Sequence, residues 1–316
     1  MSPTPPRRLP RSVIAFALAS GLVLAAGVPI EASNAVKVPG ASSCRIFPST
    51  NVWNKRVDSL PVATDSDTLT AAIGLKARLH PDFSSISGGN YGIPWNIVSS
   101  ATPRRTVSFQ WPSESDRVKY PIPSKPRIEP GSDRHMLLID KSACKLYELF
   151  AARKTNSGAW KAGSGAVWNL DSNHLRPAGW TSADAAGLPI LPGLVRYDEV
   201  AAGVIRHALR FTADTTRTQY IYPARHQAGD SNAVELPPMG LRVRLKASVD
   251  ISGFPPQARV LLAALQRYGM ILADNGSPWY VTGAPDPGWN DDDMHTLGRL
   301  HGSDFEVVDT SSLRNG

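Results

Sequence analysis

The chain has 316 residues, 42% apolar and 19% charged, with 27 Pro, 25 Gly and two Cys. That balance excludes a disordered polyelectrolyte and a disulfide-dense miniprotein, and no Gly-every-third period or sustained heptad is present, which excludes collagen and coiled coil. The net charge of +7 is spread thinly, with no run of four Lys/Arg, so the composition argues against nucleic acid as a partner.

Residues 1–35 read as a signal peptide. Arg7, Arg8 and Arg11 form a basic start, an apolar run extends from Val13 to Ile30, and Ser33 and Ala35 offer a small-residue cleavage site. The run approaches spanning length, but Gly21, Gly27 and Pro29 weaken it as an anchor. The expectation is a secreted, extracellular protein with no stable membrane anchor. In an oxidising compartment Cys44 and Cys144 are expected to pair, closing a loop of about 100 residues.

Residues 36–316 are expected to form a single domain, with an irregular, Pro-rich N-terminal region (36–130) packed on a core (131–316). Within residues 36–130 a helix is expected over Ser66–Leu79, where Leu69, Ala72, Ile73, Lys76 and Leu79 recur at helical spacing. HMLLID and KLYELFAA then read as two strands joined by a short polar turn, and GAVWNL as another. TSADAAGLPILPGLV is a small-residue loop with two Pro. YDEVAAGVIRH has helical spacing, and ALRFT, TQYIYPARH and LRVRLKA read as strands. PPQARVLLAALQRYG is the clearest helix, opened by Pro255-Pro256 and closed by Gly269. MILADNG and PWYVTGA follow as strands. The pattern predicts a β-rich α+β fold, a single-domain β-sandwich or jelly-roll-like core with two to four helices.

None of the familiar catalytic or nucleotide-binding signatures is present, and the seven His are scattered, so no metal and no cofactor is expected. Asn290-Asp291-Asp292-Asp293 reads as a solvated acidic turn. Asp198 and Glu199 open a predicted helix, where a carboxylate serves as a cap or dipole partner. The same segment is apolar, which raises a carboxyl pKa and suits a general acid, and Asp184 is the candidate second carboxylate for glycoside hydrolysis. Arg225-His226, after a strand containing Tyr222, is what a polyuronate lyase requires: Arg for the carboxylate, His or Tyr for the proton. The structural alternative is an Arg and a His bonded to loop carbonyls. His207 reads as a core histidine. Trp180, Trp279, Tyr197 and Tyr222 are the candidate substrate-binding aromatics, with core cover as the competing role for the Trp residues.

The motifs DRHMLLID, WTSADAAGLPILPGLVRYDEV, YPARH, RYGMILADNG and GSDFEVVD resemble a widespread, largely uncharacterised family of secreted soil-bacterial proteins. NVWN and LHPDF…YGIPWNIV extend the likeness over nearly all of residues 44–309. The resemblance implies export and one continuous domain and carries no catalytic residue. Together these features predict a monomeric protein acting on extracellular polysaccharide as a glycoside hydrolase or polysaccharide lyase. The alternative from another class is a non-catalytic carbohydrate- or cell-wall-binding protein.

Overall fold

Short apolar runs punctuated by Pro and Gly cannot propagate long elements, and the structure is built from short strands and few helices. A computed structural model describes residues 1–4, 36–89 and 91–315; residues 5–35 of the expected signal peptide lie outside the described residues. In chain order the elements are α1 (Ser66–Ile73), β1 (His80–Asp82), β2 (Trp95–Val98), β3 (Arg104–Arg105), β4 (Val107–Phe109) and β5 (Tyr120–Pro121). They continue with β6 (Met136–Asp140), β7 (Lys145–Leu149), β8 (Arg153–Lys154), β9 (Trp160–Ala162), β10 (Gly165–Asn169), α2 (Tyr197–Ala201) and β11 (Leu209–Ala213). The last are β12 (Arg242–Leu245), α3 (Pro256–Arg267), β13 (Met270–Asn275), β14 (Tyr280–Thr282), α4 (Asp291–His295) and β15 (Phe305–Val307). The fold is β-rich α+β.

The largest sheet has six strands in the order β1-β14-β11-β13-β12-β15. It is mixed: β11 runs parallel to β13 and antiparallel to β14. Helix α3 packs on β12 and buries Ala258, Leu261, Leu262, Ala264 and Leu265. Each fully buried Leu there contributes about 1.5–3 kcal/mol. Pro256 opens the helix, and Gly269, at φ +62°, turns the chain straight into β13.

A second sheet, β10-β7-β6-β2, explains why MLLID is apolar at nearly every position. Leu137 and Ile139 of β6 enter the main core, whereas Met136 and Leu138 enter a smaller core with Tyr120, Ile122, Tyr147 and Trp160. The sheet is therefore buried on both faces, and alternation feeds two cores. The three-stranded sheet β4-β9-β8 contributes Val107, Trp160 and Ala162 to the smaller core. Described residues from 36 onward pack as one unit. Cys44 and Cys144 form a disulfide with a Cα–Cα distance of 5.3 Å, joining the N-terminal segment to the β6–β7 turn. Among the described residues no helix is long and apolar enough to cross a membrane.

Three expected elements differ. The helix starting at Ser66 ends at Ile73, because Gly74 takes φ +121°, and the chain from His80 pairs with β14 as a strand. The helix starting at Tyr197 lasts only to Ala201, and Gly203 at φ +79° redirects the chain. The run TQYIYPARH forms no strand: Tyr220 makes a single bridge to Met239, and Pro223 has no N–H to continue a ladder. The acidic run after Asn290 opens α4, with the Asn290 side chain accepting the Asp293 N–H. Helix dipoles favour acidic residues in a first turn.

Candidate active site

The segment from Thr181 to Leu191 is a buried loop whose shape is fixed by its own polar groups. The Ser182 hydroxyl accepts the Asp184 N–H at 2.9 Å and donates to carbonyls within the loop. Gly187 takes φ +68°, and a Cβ there would meet the Trp180 carbonyl oxygen at 2.4 Å. Only glycine fits that turn. Glu148 of β7 holds the far end of the loop. Fully buried, it accepts the Ile190 N–H on both oxygens and the Leu191 N–H on Oε1, each at 3.0 Å. Burial nevertheless pushes its pKa up to about 7. His135 holds the near end through both ring nitrogens: Glu129 Oε2 lies 2.5 Å from Nδ1, and the Ala183 carbonyl lies 3.0 Å from Nε2. Burial opposes its charge, but Glu129 outweighs burial and raises its pKa. Both ring nitrogens face acceptors, an arrangement that the imidazolium form satisfies by donating to each.

This loop delivers Asp184 beneath a cavity of about 470 Å³ lined by Trp111, Glu114, Asp133, Phe150, Asp184 and His226, with Asp274 and Asn275 at the end of β13. Asp184 is fully buried and forked by Arg210: Nη2 donates to Oδ1 at 2.7 Å and Nε to Oδ2 at 3.1 Å. The remaining arm of Arg210 donates to the Thr282 hydroxyl at 2.5 Å. A buried charge persists only with this kind of full pairing.

Asp274 reaches the same place through a β-bulge. Between β11 and β13 the register runs Phe211↔Leu272 and then Thr212↔Asp274, so Ala273 is an extra residue. Strict alternation would set Ala273 beside Thr212 and send Asp274 to the other face; the bulge turns Asp274 to the face of Arg210. The Ala273 carbonyl, freed from the ladder, accepts the Ala186 N–H at 2.9 Å and docks the loop. Asp274 Oδ2 lies 3.7 Å from Arg210 Nη2, and its side chain is 26% exposed. Burial, together with the neighbouring Asp184 carboxylate, raises its pKa to about 8. A carboxyl with its pKa raised in this way favours its protonated form, and Asp274 presents it at the cavity surface.

The other walls come from distant stretches of the chain. Glu114 Oε2 accepts the Thr181 N–H at 3.3 Å and lies 3.8 Å from His226 Nε2. His226 Nδ1 lies 3.0 Å from the Ala185 carbonyl, which fixes the ring against the loop. Trp111 stacks on Phe150 with centroids 6.3 Å apart and planes at 24°. Gly163 permits this stack, since a Cβ would lie 2.7 Å from Phe150 Cδ1 and 2.9 Å from Trp111 Cζ3.

Of the candidates read from the sequence, Asp184 and His226 meet at this cavity, tied together where the Arg225 and His226 N–H groups both donate to the Ala186 carbonyl. The rest lie elsewhere. Arg225 Nε donates to the Arg176 carbonyl at 2.8 Å, the loop-bonded alternative. Glu199 is paired with Arg196 Nη2 and His207 Nε2, both at 2.9 Å; burial raises its pKa, but these partners outweigh burial and bring it below the ordinary value. Asp198 lies 3.5 Å from Arg196 Nε, and burial raises its pKa. Neither lines the cavity. Trp279 is fully buried between Phe211 and Phe305, with its indole N–H donated to the Gly74 carbonyl, and no polymer can reach it. Trp180 stacks under the Arg176 guanidinium, Tyr197 packs edge-on to Trp289, and Tyr222 lines a separate small pocket beside Asn51 and Asn173.

Asp274, Glu114, Trp111 and Phe150 were missed by sequence reasoning. Asp274 carried a signal, an acidic residue closing the apolar run MILAD before Asn-Gly; the other three sit in turns whose placement depends on tertiary packing. No protein-family model, curated protein or solved structure matches the chain, so the chemistry is read from these residues alone.

Proposed function

We propose that this is a secreted protein that cleaves extracellular polysaccharide as a glycoside hydrolase at the Asp274 cavity. The observation that carries the reading is the meeting at one cavity of Asp274, a carboxyl whose pKa burial raises, with the Trp111–Phe150 stack and a second acidic residue, Glu114. Asp274 is the general acid toward the glycosidic oxygen; burial and the neighbouring Asp184 favour its protonated form against the opposing charge of Arg210. Glu114, held by the Thr181 N–H, is the base or nucleophile, with His226 beside it. Trp111 is 41% exposed and offers its face to a pyranose ring. The export expected from the N-terminal sequence accords with an extracellular substrate, and the intramolecular disulfide accords with an oxidising compartment.

The charge of the lining favours hydrolysis over elimination. Among the described residues no Lys or Arg side chain lines the cavity, whereas Glu114, Asp133, Asp184 and Asp274 do. A lyase needs a cation for the uronate carboxylate, and Arg225 is turned to the Arg176 carbonyl. A neutral sugar is therefore the expected occupant. The test is a panel of neutral and acidic polysaccharides incubated with residues 36–316, following reducing ends and the near-ultraviolet absorbance of unsaturated uronate together. New reducing ends on a neutral polymer without absorbance support the reading. Rising absorbance makes the protein a lyase, and retention on an insoluble polymer without cleavage makes it a binding module.

A further inference from the structure

The three-stranded sheet ends in an open edge. Among the described residues β4 pairs only with β9, so one side of Val107–Phe109 has no strand beside it. The Gln110 N–H donates to the Ala162 carbonyl on the β9 side. Alternation along a parallel strand then turns the backbone groups of Val107 and Phe109 toward the free edge. Along that edge runs a groove of about 580 Å³, walled on one side by Thr106–Phe109 and on the other by Arg117, Val118 and Lys119. Its surface combines apolar Phe109 and Val118, the latter 48% exposed, with two exposed cations.

Those cations are not neutralised from within. Asp116, next in sequence, is committed to Arg176 Nη1 at 2.6 Å and to the Val167 N–H at 2.9 Å. The Glu114 carboxylate faces Thr181 and His226 in the other cavity. The sheet adds to the charge: β4, β9 and β8 are in register at Ser108, Lys161 and Arg153, and the last two are exposed, as is Lys154. Open edges are normally shielded by single charges, but here the edge also faces a formed groove with an apolar side.

We propose that this groove is a docking site for an extended acidic peptide segment, which adds as a strand to β4 and places carboxylates against Arg117 and Lys119. The strand supplies main-chain hydrogen bonds at the free edge, alternate side chains contact Phe109 and Val118, and the cations set the charge of the partner. The site is separate from the cavity holding Asp274 and stands whether or not that cavity is hydrolytic.

The probe is an eight-residue peptide alternating Glu with Val or Thr, titrated against residues 36–316 by calorimetry or fluorescence anisotropy. It is compared with the same peptide carrying Lys for Glu, with a version N-methylated at alternate amides, and with oligogalacturonate of equal charge. Binding of the Glu peptide alone, weakened about tenfold by Arg117→Glu with Lys119→Glu and abolished by N-methylation, is the expected result. Both substitutions are at exposed positions and leave the fold intact, checked by an unchanged melting temperature. Equal binding of oligogalacturonate or of the N-methylated peptide overturns strand addition and leaves a plain polyanion patch. No binding of the Glu peptide, or binding indifferent to the two substitutions, overturns the proposal.

Discussion

Replacing Arg210 by Met removes the cation that forks a fully buried carboxylate. The change deletes the two bonds to Asp184, at 2.7 and 3.1 Å, and the bond to Thr282, at 2.5 Å. Breaking a buried pair from one side costs about 3–5 kcal/mol, because the remaining charge stays desolvated. At ~2.1 cal/mol/K of unfolding entropy per residue, a chain of this size should lose roughly 5–8 °C in Tm. Asp184→Asn in the Arg210→Met background removes the stranded charge. The double variant should therefore be more stable than the two single effects summed, by at least ~1.5 kcal/mol. Urea unfolding of the four proteins closes the cycle. A single variant within ~1 kcal/mol of wild type, or strictly additive effects, would refute the claim that the buried Arg210–Asp184 pair holds this part of the fold together.

Three further outcomes follow from other regions of the molecule. Cys44→Ser with Cys144→Ser opens a loop of 100 residues, which the chain-entropy model values at about 4.7 kcal/mol; calorimetry should show Tm falling by about 8 °C, and an unchanged Tm would contradict it. The Glu148 pKa of about 7 lies above its ordinary 4.5, so its folded form holds the proton more tightly than the unfolded one. Its contribution is fully present below pH 4.5 and is lost as pH rises to 7, amounting to about 3 kcal/mol; that slope should vanish in Glu148→Gln, and parallel pH profiles for the two proteins would count against it. Gly163→Ala forces a methyl against Phe150 and Trp111, so it should destabilise by about 1–3 kcal/mol and raise KM on the cleaved polymer more than it lowers kcat. An unaltered KM would remove the ring pair from substrate binding.

Much of the fold was legible from local pattern. β6, β7, β11, β13 and α3 fall on apolar runs whose spacing and flanking Pro or Gly name the element and its ends. Two errors were in length: Gly74 and Gly203 terminate α1 and α2 early by taking positive φ, a choice the helical spacing of the neighbouring residues conceals; the third was the strand expected over TQYIYPARH, which forms only a single bridge at Tyr220. The site was only half legible. Asp184 stood out as a carboxylate in an apolar segment, and His226 as half of an Arg-His pair following a strand-like run with two Tyr. Asp198 and Glu199 drew the same reasoning and were misplaced by it, since Arg196, immediately before the helix that carries them, and His207 draw them into a structural ion-pair cluster. Asp274 was hidden by the bulge at Ala273, because alternation along MILADN assigns it to the wrong face. Glu114, Trp111 and Phe150 reach the cavity through packing of the Pro-rich region on the core, and no local pattern encodes that meeting.

The most direct test of the central claim compares wild type, Asp274→Asn and Glu114→Gln on whichever neutral polysaccharide the panel identifies, with kcat and KM measured from reducing ends. Asp274→Asn removes the proton donor while keeping shape, so kcat should fall about 100-fold or more, with Tm and KM nearly unchanged. Glu114→Gln should also lose most of kcat. Full activity in Asp274→Asn, or no cleavage of any polysaccharide by the wild-type protein, would contradict the account.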